Sequence, residues 1–258
     1  FSAYDGTAMN RSELVLVLDE GRDYRFQRVH GAPEPTITQD EDGRAVHHYA
    51  MSSLPRRKEE PRRPDDKESE PIVRVSTYRD WDHFSSWWWN LVRKQLRVSP
   101  DMKAKVAELT AGREDERDRI AAIYGFVVTD IRYKAWEFGV HGYKPYSTDV
   151  IFERRHGDCK DKALLLTAML GEAGIEAYPV LIYADVPRSH DDLELAMVQH
   201  FNHCISYLPA SGDRPEMYLD GTATWHPSNI TPSMDCGAEV LIVDGEDGNI
   251  GQVPWPDA

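Results

Sequence analysis

The sequence predicts an α+β fold: helices packed on an antiparallel sheet, preceded by a smaller β-rich segment. Three observations predict it. Apolar residues between Trp81 and Leu170 recur at helical spacing, and those after Glu176 fall into short strand-like runs. The order is helices first and strands after, without the strand–helix alternation of a parallel sheet. Before Thr77 the apolar runs are short and separated by turn signals.

Each element follows from its own residues. Glu13 to Asp19 is an apolar run closed by Glu20-Gly21; Asp23 to His30 alternates loosely; Arg44 to Met51 follows the turn Glu41-Asp42-Gly43; Ile72 to Thr77 reads as one more strand. Residues 54–71 are charged and Pro-rich with little to bury, so a loop is expected there. Too few strands are present to close a sandwich, and 1–77 reads as the end of a larger N-terminal β domain. A second domain is expected over 78–258. In it Trp88, Leu91, Val92 and Leu96 share a helical face, Asp101 to Leu109 is a short helix after Pro100, and Glu114 to Ile131 carries a long apolar stripe. Trp87-Trp88-Trp89 lie on that first helix and point different ways, which favours packing over a stacking platform. Lys134 to Thr148 is a Gly-containing loop, and Ala163 to Leu170 is apolar all round, as a central buried helix would be. Strands are expected at 176–183, 202–208, 216–220 and 239–243.

Composition narrows the function. With 258 residues, the chain has a formal net charge of -14, which argues against a nucleic-acid groove, because phosphate binding needs clustered Lys and Arg. No apolar run reaches the about 18 residues of a membrane span. The sequence opens on Phe1 and reads as a fragment without its natural N-terminus. Three cysteines form no CxxC pair, which fits the cytoplasm and an extracytoplasmic domain alike, so the compartment stays open, as does the oligomeric state.

The chemistry is carried by three separated residues. Cys159 opens the buried helix, where free N–H groups and the helix dipole favour a thiolate and can stabilise an oxyanion. Lys160 and Lys162 add positive charge, and Asp158 and Asp161 oppose it. His203 stands on a strand and suits a proton acceptor near neutral pH. Asp220 ends the next strand, where its carboxylate suits the other imidazole N–H. Taken singly, a buried Cys, an interior His and a turn Asp are ordinary; in combination they read as nucleophile, base and orienter. His141 and Tyr143, in the loop before the nucleophile, are candidate cleft residues. His156 is near Cys159 in sequence, close enough to modulate it, and Trp225 is expected to pack.

Gly157-Asp158-Cys159-Lys160-Asp161-Lys162-Ala163, the leucines that follow and Gly174-Ile175-Glu176-Ala177 resemble the core of bacterial transglutaminase-like proteins. Phe201-Asn202-His203 and Tyr218-Leu219-Asp220-Gly221-Thr222 are similar to the histidine and aspartate motifs of that family, and Ile131-Arg132-Tyr133 and Trp81 also fit. The first 77 residues look like the tail of a β domain of unknown function often found before this core. The resemblance implies a papain-like core with Cys159 as nucleophile, His203 as general base and acid, and Asp220 as orienter. It implies an oxyanion hole from the N–H of Cys159 and a side chain of the preceding segment, Tyr133 or Trp136. The expected reaction is thiol-dependent acyl transfer or hydrolysis at an amide of a protein or peptide, through a thioester and without a cofactor. Two other readings compete. One is a metal site from His200, His203 and Cys204, with Cys159 and Cys236; alternation along the strand separates His203 from Cys204 and weakens it. The other is a non-catalytic interaction or scaffold module, which the presence of all three candidates disfavours.

Overall fold

The computed structural model describes residues 1, 7–56, 65–135, 137–186, 191–245 and 247–256. The chain divides into two compact units, residues 1–80 with the segment 189–197, and residues 81–188 with 198–258.

In the first unit β1 (Met9–Val17) runs antiparallel to β4 (Ala45–Leu54), whose other edge carries β3 (Thr36–Gln39). The β3–β4 turn closes as Glu41-Asp42-Gly43 predicts: the Asp40 carboxylate accepts from the N–H groups of Asp42 and Arg44, and Gly43 takes φ 82°. β2 (Arg25–Val29) and β5 (Ile72–Ser76) form a separate antiparallel pair. Arg74 is buried and bonds to Gln27 and Asp191, and the Ser76 hydroxyl donates to Ala196 O at 2.6 Å, so the remote segment is tied to this pair. The expected loop 54–71 is corrected in part. Residues 66–69 form a one-turn helix, α1 (Asp66–Ser69), because Asp65 caps it by accepting from Lys67 N. The middle of that stretch, 57–64, lies outside the described residues.

The second unit starts with α2 (Trp81–Val92), α3 (Pro100–Thr110) and α4 (Glu116–Asp130). Ser99 and Asp115 cap α3 and α4 with their side chains, and Pro100 sits at the first turn of α3. β6 (Arg132–Tyr133), α5 (Thr148–Arg154) and β7 (His156–Gly157) lead into α6 (Cys159–Glu172). β8 (Tyr178–Ile182), β9 (His203–Leu208), β10 (Met217–Leu219), β11 (Glu239–Val243) and β12 (Gly248–Gln252) make an antiparallel sheet in the order β10-β9-β8-β11-β12. α5 and β12 were not expected. α5 is only two turns long, and β12 is Gly-rich for a packing reason: a Cβ on Gly248 would lie 2.2 Å from the backbone of Trp81.

α6 is buried from Cys159 to Leu170, the all-round apolar helix the sequence predicts. Leu165, Leu166, Met169 and Leu170 pack with Ile120, Ile123 and Val127 of α4 and with Leu208 of β9. Full burial of such side chains contributes about 1.5–3 kcal/mol each. Val180, Ile182, Ile205, Val240 and Ile242 form a second cluster within the sheet region. The unit is thus an α+β core with its central helix laid on an antiparallel sheet.

Candidate active site

The polar start of α6 is a framework in which each charged group has a partner. Asp158 takes extended geometry and accepts from Asp161 N at 3.1 Å, while the Asp161 carboxylate reaches back to Asp158 N at 3.4 Å, a reciprocal cap. Lys160 Nζ lies 2.5 Å from the Asp158 carboxylate. Asp161 also accepts from Tyr146 N at 2.8 Å and from Arg154 at 2.6 Å. The residue before the cap must be glycine, since a Cβ on Gly157 would fall 2.5 Å from Cβ of Asp161. The short pairing of β6 with β7 sets Tyr133 opposite Gly157.

His203 is the first residue of β9, and Asp220 directly follows β10, the neighbouring strand. Nε2 of His203 lies 3.2 Å from Oδ1 of Asp220, close enough for an ion pair, but the N–H is not aligned as a hydrogen bond. Such contacts are often loose in a ligand-free site. The same Oδ1 accepts from Thr222 N at 2.8 Å and Thr222 Oγ1 at 2.7 Å, and the Tyr124 hydroxyl of α4 donates to Asp220 O at 3.0 Å. Burial by itself would push the His203 pKa down. The contacts with the Asp220 carboxylate and with Cys159 favour the charged ring, outweigh burial and raise the value to about 10. For Asp220 burial acts upward, and His203 and Thr222 outweigh it, leaving its pKa lowered. Cys159 and His203 line one cleft of about 320 Å³ with Trp88, Tyr143, Leu181 and Phe201.

The remaining sequence candidates scatter. Tyr133 is half exposed, and burial followed by the charge at Cys159 lifts its hydroxyl to about 12, which places it in the field of the sulfur. Tyr143 lines the cleft, and its carbonyl accepts from Trp88 Nε1 at 3.2 Å. His141 is not among the described residues lining the cleft. Its Nδ1 bonds to Lys144 O and its ring stacks on Tyr146 at 3.7 Å, so it fixes the loop from behind. Trp136 lies outside the described residues. Trp225, expected to pack, is corrected: it is 94% exposed, in the turns after Asp220.

Sequence reasoning missed Glu137 in the cleft and Asp235 beside it; Lys160, read from sequence only as a positive charge near Cys159, also lines the cleft. Asp235 is fully buried, with a carboxylate oxygen within 4.8 Å of both a His203 ring nitrogen and an Asp220 oxygen. A turn Asp before Cys236-Gly237 gives no sequence signal of that burial. His203 with Asp220 and Asp235, and Cys159 with Asp158 and Glu137, are the two groups among the described residues compact enough to bracket an ion. Neither includes His200, Cys204 or Cys236, and both are explained as ion-pair networks: Asp158 is engaged by Lys160, and Asp220 by His203 and Thr222. Against the alternation argument, both His203 and Cys204 line the cleft, because the strand begins at its rim.

Residues 103–213 match the model of the transglutaminase-like superfamily. Over that segment the chain is similar to the transglutaminase-like superfamily. The matched segment holds Cys159 and His203 and stops before Asp220. No curated protein matches the sequence. Among solved structures, a proposed protease from Parabacteroides distasonis superposes with a TM-score of 0.75 at 16% identity, over 98% of this chain and 46% of its own. The chain therefore spans under half the length of that protein, and the likeness is one of fold. A proposed cysteine protease from Cytophaga hutchinsonii (TM-score 0.38, 13% identity, 96% of this chain and 90% of its own) is a looser match. So is the periplasmic domain of TgpA from Pseudomonas aeruginosa (TM-score 0.34, 16% identity, 86% and 72%). Neither carries weight for this chain.

Proposed function

We propose that this transglutaminase-like domain acts on an amide of a protein or peptide, by hydrolysis or acyl transfer through a thioester on Cys159. The observation that carries the reading is one imidazole, His203, interacting with the Asp220 carboxylate on one side and the Cys159 sulfur on the other, at an open cleft. The raised pKa of His203 means that near neutral pH the ring is an imidazolium. It therefore begins the reaction as the acid beside the Cys159 sulfur, placed to protonate the leaving amine.

Attack of the Cys159 sulfur on the amide carbon forms a C–S bond and moves the carbonyl electrons onto oxygen. Backbone N–H at the first turn of α6 is positioned to stabilise that oxyanion, and the Tyr133 hydroxyl, protonated at neutral pH, serves as second donor. Collapse expels the amine, which takes the proton from His203. Neutral His203 then draws a proton from the incoming water or primary amine, which displaces the sulfur and completes hydrolysis or transamidation.

The test is turnover of a glutamine-containing peptide and of a protein substrate, reading ammonia, new termini and incorporation of a labelled amine. Cys159→Ala and His203→Ala should each lose at least about 10³-fold in kcat/KM. Full turnover in either variant would overturn the assignment.

A further inference from the structure

Asp220 does not hold the imidazole alone. Asp235 sits in the turns before β11, its backbone N–H bonded to Pro232 O at 2.9 Å and its carbonyl accepting from Ala238 N at 3.2 Å. It has no solvent exposure, and its carboxylate comes within 4.8 Å of both the His203 ring and the Asp220 carboxylate. Tyr124 lies in the field of both carboxylates. Two carboxylates this close repel strongly in a low-dielectric interior unless a cation lies with them. Described groups in the field of this cluster include Cys159 and Lys162 from α6, Tyr124 from α4, Tyr133 from β6, and Asp220 with Thr222 after β10. The His203 imidazole lies within 4.8 Å of both carboxylates, and the Lys162 ammonium donates to Ile131 O at 2.5 Å. The misaligned Nε2 contact also means that Asp220 by itself does not fix the plane of the ring.

We propose that Asp235 is a positioning residue, a second buried carboxylate that together with Asp220 holds the His203 imidazolium in place beside Cys159. This rests on the thiol acyl-transfer reading, in which His203 must start as the acid. Asp235 touches no substrate in this account; it acts through His203, by adding negative potential within 4.8 Å of the ring.

The experiment is ¹⁵N NMR titration of the histidine rings in the full chain, wild type against Asp235→Asn and Asp220→Asn. Asp235→Asn should lower the His203 midpoint by about one pH unit, in line with the effect of one opposite charge at about 4–6 Å, and Asp220→Asn should lower it further. The alkaline limb of kcat/KM should move with the midpoint. An unchanged His203 midpoint in Asp235→Asn overturns the proposal. Should that variant not fold, the ¹³C signal of the Asp235 carboxyl in the wild type decides: an inflection at the His203 midpoint supports the coupling, and a flat response overturns it. The titrations need no substrate, so a wild type without amide turnover but with the coupled midpoints counts against the acyl-transfer reading alone.

Discussion

At the scale of single residues, the site is a contest between burial and charge. His203 keeps its proton because the Asp220 carboxylate and the Cys159 sulfur outweigh the cost of burying an imidazolium. Cys204 sits one residue away and shows the opposite balance: complete burial, followed by the charge at Cys159, pushes its thiol well above the ordinary cysteine range. Iodoacetamide near neutral pH should therefore modify Cys159 first, by at least about tenfold over Cys204 and Cys236, as read by peptide mass mapping. Equal rates would contradict an activated thiolate. Cys159, His203 and Asp220 were legible because each carries a local signal: a helix start, a strand, a strand end before glycine. Asp235 was not, because nothing in Pro232-Ser233-Met234-Asp235-Cys236-Gly237 distinguishes a turn carboxylate in solvent from one sealed against the imidazole. Trp225 failed for the converse reason. An indole normally buries, but among the described residues Trp225 stands exposed on the turns that carry it.

At the scale of elements, α6 is fixed through Asp161. That one carboxylate closes the cap with Asp158, pairs with Arg154 of α5 and holds Tyr146, on whose ring His141 and Arg154 stack. Asp161→Ala should cost about 3–5 kcal/mol in urea unfolding, the penalty for removing one partner of a buried ion pair, and loosen the loop beside the cleft. A cost below about 1 kcal/mol, typical of an isolated cap, would show that Asp161 only caps. Gly157→Ala should also destabilise, since the added methyl has only Asp161 to displace. The longer helices α2, α3 and α4 and the strands β8, β9, β10 and β11 were legible from periodicity. β3 and β12 were not: the residues of β3 are all exposed, and β12 places glycines where close backbone approach is needed, so neither shows an apolar run.

At the scale of the whole molecule, two buried bases oppose each other in the pH dependence of stability. His203 holds its proton from its ordinary 6.5 up to about 10 in the folded chain, so its contribution is complete below 6.5 and is lost as pH rises through that interval. Lys162 is displaced the other way, from 10.5 down to about 8 by burial, so between those values the unfolded chain binds the extra proton and stability rises with pH. Stability should thus fall between pH 6.5 and 8 and level off between 8 and 10, followed as urea midpoints. His203→Gln should remove the fall, and Lys162→Met should extend it to pH 10. A wild type whose stability is flat from 6.5 to 8 would contradict a protonated His203. The α+β class was legible in the order of helices and strands; that residues 189–197 join the first unit was not, because Arg74–Asp191 and Ser76–Ala196 are contacts across more than a hundred residues of chain.

The account's central claim is a covalent bond to one sulfur, and intact-protein mass spectrometry after a short exposure to an activated acyl ester reads it directly. One acyl group should appear, map to the peptide containing Cys159, leave on addition of hydroxylamine, and be absent from Cys159→Ala. An acyl group on Cys204, on Cys236 or on a lysine, with Cys159 unmodified, would contradict it.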